Sequence, residues 1–122
     1  MASRALAREN APMKELAPTS REAISARLKL TRLATGMNQT EFAKKVEISL
    51  QTWNNYERDI SRISLDEALK VCRGLKVGLD WIYQGDESLL PAYLLDGIRR
   101  IRKQTEQKED EQSERRGVAT EA

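Results

Sequence analysis

Helix-start signals recur at short intervals through the middle of this chain, and they leave little room for any other secondary structure. Thr19 with Glu22, Asn38 with Glu41, and Ser64 with Glu67 all have capping-box spacing. In such a box an N-cap oxygen and an N3 carboxylate satisfy one another's backbone N–H groups. Ser49 supplies a further start. No β-hairpin signal and no internal repeat interrupts the series, so the expected fold class is all-α.

Apolar spacing fills in the helices behind these caps. Ile24, Leu28 and Thr31 recur at helical spacing until Gly36 offers a left-handed stop. Phe42, Ala43 and Val46 give the second helix a buried face before the chain turns near Glu47 and Ile48. The third runs from Ser49 to about Arg58, with Trp53 and Tyr56 on one face and Gln51 and Asn55 on another. A fourth helix contains a core stripe within Ala68, Leu69, Val71, Cys72 and Leu75 and ends around Gly78. Leu79, Trp81, Ile82 and Tyr83 form a fifth short helix before Gly85.

Composition removes whole classes of function. The chain has 122 residues and no histidine, so the commonest general base and transition-metal ligand are missing and no enzyme, cofactor or metal site is expected. The lone Cys72 cannot form an internal disulfide, which fits a reduced, cytoplasmic setting. No apolar run approaches the roughly 20 residues of a membrane-spanning helix. Nor does the N-terminus carry the apolar core of a secretion signal.

Charge distribution divides the chain. Residues 1–19, with Pro12 and Pro18, read as a flexible arm, and residues 20–86 hold 11 bases, 9 acids and both tryptophans. From 87 the charges segregate, Arg99 to Lys103 preceding Glu106 to Glu114. Residues 87–104 are expected to form a C-terminal helix, and 105–122 a disordered charged tail.

Helices two and three meet across a very short turn, and the third shows polar side chains outward while its aromatics face in. That is the anatomy of a helix-turn-helix, whose second helix reads base edges in the DNA major groove. A short polar helix on a small α-domain also fits an ordinary solvated face. The stretch ISARLKLTRLATGMNQTEFAKKVEISLQTWNNYERD, followed by LDEALKVCRGLKVGLDWIYQGD, resembles the phage repressor and Cro type of helix-turn-helix domain, the XRE family, over roughly residues 22–86. The resemblance rests on Asn38-Gln39-Thr40-Glu41-Phe42-Ala43, Tyr56-Glu57-Arg58 and Leu79-Asp80-Trp81-Ile82 taken in order. It implies a five-helix lambda-repressor-like DNA-binding domain, here with an additional C-terminal helix and disordered tails.

Roles follow residue by residue from that resemblance. Gln39 would bind phosphate and brace the reading helix, with Asn38 beside it. Base contacts would fall on Leu50, Gln51, Thr52 and Asn55. A side-chain amide suits the N6 and N7 edge of adenine, whereas Leu50 could touch only a thymine methyl. Ser49, Arg58 and Arg62 would lie at phosphates, and Arg32 and Glu57 would form an internal ion pair. Asp59 stands where the family usually has glycine and Ile63 where proline is common, so the loop after helix three is expected to take another path.

A further apolar stripe, Leu90, Leu94, Ile98 and Ile101, lies beyond the domain at i, i+4, i+8 and i+11. It either pairs with a second copy, giving a dimer on a two-fold related site, or packs back on the domain. The expected partner is double-stranded DNA, with no membrane and no small-molecule effector. The expected function is a sequence-specific transcriptional regulator, a repressor in the first instance. The alternative is an antitoxin or adaptor that uses the same fold chiefly to bind a protein.

Overall fold

Serine and asparagine caps open the first four helices. The computed structural model describes residues 17–121, with side chains through residue 114. Helix α1 is Arg21–Thr35, α2 Gln39–Val46, α3 Leu50–Glu57, α4 Leu65–Leu75, α5 Asp80–Gln84 and α6 Ala92–Glu121. The first start is one residue later than the spacing suggests: Ser20, not Thr19, accepts from the Ala23 N–H. At α2 the box is complete, Asn38 Oδ1 accepting from Glu41 N at 2.8 Å and Glu41 Oε1 from Asn38 N at 3.1 Å. Ser49 and Ser64 cap α3 and α4 in the same way.

Left-handed residues close several of these helices. Gly36 ends α1 as expected, but α4 stops at Lys76, in the left-handed region at φ 59°, before Gly78 is reached. The fifth helix is one turn of π-type backbone closed by Gly85.

One core joins all six helices. Ile24, Leu28, Phe42, Val46, Trp53, Val71, Leu75, Trp81, Ile82, Leu94 and Ile98 are buried together. Within the apolar run of α4 the core stripe is Ala68, Val71 and Leu75, and Leu69 is exposed. The polar groups of Trp81 and Thr31 in this core find partners: the Trp81 indole N–H donates to Thr31 Oγ1 at 3.0 Å, and that hydroxyl donates to Arg27 O at 2.6 Å.

The C-terminal half resolves one open expectation and departs from another. First, Leu94 and Ile98 are fully buried and Leu90 and Ile101 pack partly buried against the core, so of the two expected uses of the stripe, pairing with a second copy or packing back on the domain, the structure has the second. The cause is close approach at Gly97, where an added Cβ would stand 2.4 Å from Ala34 O. Only a glycine lets α6 lie this near α1. Second, the stretch expected to be disordered from 105 continues α6 as helix to Glu121, with residues 102–114 exposed. Helix already begun by the docked turns propagates at little cost. Most of the expected N-terminal arm, 1–16, lies outside the described residues. Its last residues are tied down, Arg27 donating to Pro18 O and Arg62 to Thr19 O, each at 3.0 Å.

Among the described residues, no helix is long and apolar enough to cross a membrane.

Candidate nucleic-acid interface

Glu47, in the left-handed region at φ 60°, turns the chain out of α2, and Ser49 starts α3 at once. Trp53 and Tyr56 face inward, the Phe42 and Trp53 rings lying 4.6 Å apart. The opposite face of α3 is left to solvent. Gln51 and Leu50 are exposed in its first turn, Thr52, Asn54 and Asn55 are half-buried, and Arg58 is exposed at its end.

Beneath that face lies a polar hub centred on Glu57. Its carboxylate, 3% exposed, accepts from Arg32 Nε at 2.6 Å and Arg32 Nη2 at 3.0 Å, a bidentate pair. Gln39 Nε2 donates to the same carboxylate at 3.1 Å, and the Trp53 indole N–H also donates to it. Arg32 Nη1 reaches Met37 O at 3.1 Å, just before α2. The single Ser25 Oγ proton is shared between the carbonyls of Tyr56 at 2.7 Å and Glu57 at 3.0 Å. Helices α1, α2 and α3 are thereby locked by directional bonds whose geometry tolerates little tilt.

The hub changes what two of the sequence-derived phosphate ligands can do. Gln39 Nε2 has two hydrogens, and both are taken, one by Glu57 Oε1 and one by Asn54 Oδ1 at 3.3 Å. Its side chain braces and has no N–H left for a phosphate; only its backbone N–H, in the first turn of α2, is available for one. Ser49 Oγ accepts from Thr52 N and donates to Thr52 Oγ1 at 2.7 Å, so its single proton is likewise used. Thr52 retains its own hydroxyl proton. Asn38 keeps its Nδ2 hydrogens, because capping uses only its oxygen and backbone.

Gln51, Asn55 and Arg58 share one side of α3, and Leu50 and Thr52 flank it on opposite edges. Arg62 lies on the following loop with one guanidinium nitrogen anchored to Thr19 O. That loop opens with Asp59 at φ 59°, the conformation a glycine adopts without strain. The departure from the family residue therefore preserves the backbone turn, as aspartate tolerates this region better than most side chains. Ile63 is buried, and its carbonyl accepts from the Tyr83 hydroxyl at 3.2 Å.

Residues 28–82 match the helix-turn-helix family model. Over that segment the chain is similar to the helix-turn-helix family, which supports the XRE, Cro/C1 resemblance read from its sequence. The family is one of DNA-binding regulators, and the match spans α2, α3 and the α1, α4 and α5 segments that support them. No curated protein and no solved structure matches the chain.

Three contributors escaped the sequence reading. Asn54 stands i+3 from Gln51 and i+4 from Leu50, so a helical wheel places it on the outward face. Trp53 reads as plain core, and nothing in spacing alone announces that its N–H serves Glu57. Gly97 sits in an otherwise ordinary helical run. Cys72 is half-buried, and burial pushes its thiol above the usual range, which disfavours the reactive thiolate.

Proposed function

We propose that the protein is a sequence-specific regulator of transcription that binds double-stranded DNA with α3 in the major groove. Gln51 and Asn55 read base edges, Leu50 lies against a thymine methyl, and Thr52 offers its hydroxyl. Arg58 and Arg62 hold phosphates together with Asn38 and the free N–H groups of α2, where a helix start favours an anion. The reading is carried by one observation: the solvent face of α3 is polar and its opposite face is fixed to α1 and α2 through Glu57. A helix that merely solvates a surface has no need of such directional bracing.

One such helix covers few base pairs, so we propose that two copies occupy half-sites about one helical turn apart. Repression follows if the occupied site overlaps one needed by another protein. The test is selection of bound duplexes from a random pool at moderate salt, with wild type and Gln51→Ala side by side. A two-fold related motif that blurs at one step in the variant is the expected result. No enrichment by a folded protein would overturn the proposal in favour of the adaptor reading.

A further inference from the structure

We infer that Asn54 is a phosphate-binding residue of the interface, its amide aimed at DNA by a hydrogen-bond relay that begins at Glu57. The inference rests on the proposed DNA-binding reading of α3 and adds a contact to it.

The polarity of the relay is fixed from its buried end. Glu57, held by the Arg32 guanidinium, can only accept. Gln39 must therefore turn its Nε2 towards it, and the second hydrogen of that nitrogen points to Asn54 at 3.3 Å. Asn54 must answer with Oδ1. Its Nδ2 then faces away from the hub, and among the described residues no protein group accepts from it. An asparagine on a free surface can flip its amide at will; this one presents donors outward and nothing else.

A half-buried, short side chain already tethered at its oxygen cannot extend to the groove floor as Gln51 can. It lies beside the start of α2, where the wall of the groove would run, and an acceptor with negative charge is the best match for an oriented amide donor. A phosphate oxygen supplies both properties. The relay also accounts for spending both Gln39 hydrogens inside the protein: the phosphate-binding donor is handed on from Gln39 to Asn54.

The experiment uses the full chain and the duplex recovered by selection, alongside a scrambled duplex. Asn54→Ala is expected to weaken binding to both by a similar factor of about tenfold. The slope of log affinity against log salt should stay unchanged, because a neutral amide releases no counterion, whereas Arg58→Ala should reduce it by about one. Replacing single phosphates by neutral methylphosphonates should reveal one position that weakens wild type and leaves Asn54→Ala unaffected. Asn54→Asp keeps the acceptor for Gln39 but removes the donor, and should bind worse than Asn54→Ala. Circular dichroism confirms folding of each variant.

Loss confined to one base pair would overturn the phosphate assignment and make Asn54 a base reader. Unchanged binding by Asn54→Ala, while Gln51→Ala loses its motif, would overturn the inference and leave the DNA-binding reading standing. Failure of folded wild type to bind any duplex would overturn both.

Discussion

Helices α3 and α6 both rest on α1, and they are held there by opposite means. Helix α3 is fastened by Ser25, Arg32 and Glu57 through bonds with defined direction, while α6 is seated by Leu94, Ile98 and the bare backbone of Gly97 against Ala34. Apolar burial stabilises without specifying an angle, whereas a bidentate ion pair specifies an angle and, after desolvation, adds little net stability. The polar attachment sits on the helix proposed to read DNA, where orientation would decide function. The apolar one sits where only adhesion is needed.

The contrast breaks first at Glu57. Glu57→Ala leaves the Arg32 guanidinium, 11% exposed, without its counter-ion and strands two further donors, so denaturant unfolding should show a loss of about 3–5 kcal/mol. Ile98→Ala comes next, with about 2–4 kcal/mol lost to the cavity and the uncovered area, and with DNA affinity unaltered in the folded fraction. Gly97→Ala should follow closely, at about 2–3 kcal/mol, because a Cβ 2.4 Å from the Ala34 backbone oxygen forces α6 away from α1 and the gain in helix propensity offsets less than about 1 kcal/mol of that. Truncation after Gln104 should change stability by less than about 0.5 kcal/mol, since residues 102–114 are exposed. A large effect there would mean that the distal half of α6 has a partner.

Local chemistry made the helices legible in the sequence and left their contacts obscure. Caps at Asn38, Ser49 and Ser64 act within a few residues, so the starts of α2, α3 and α4 could be placed from the sequence. Periodicity exposed the stripe Leu90, Leu94, Ile98 and Ile101 but could not say what covers it. The answer depended on Gly97 meeting Ala34, a distance of 63 positions along the sequence that no local pattern encodes. The distal part of α6 was missed because its polar composition offers no apolar face, and its helical state is inherited from the turns docked before it. On α3 and beneath it, helix faces pointed to Gln51 and Asn55 as the proposed readers, and the family resemblance pointed to the Arg32–Glu57 pair that the structure forms. The direction of each hydrogen bond was invisible, and with it the use of both Gln39 side-chain hydrogens inside the protein, which leaves the bracing half of its expected role, and the contact it makes to Asn54.

The most direct test compares DNA affinity in two folded variants, Glu57→Gln and Ile98→Val, at a temperature where near-ultraviolet circular dichroism shows both to be native. If the hub orients the reading helix, Glu57→Gln binds the selected duplex about tenfold more weakly while Ile98→Val matches wild type within about twofold. Equal weakening in both, or wild-type affinity in Glu57→Gln, would contradict the division of labour between the two attachments to α1.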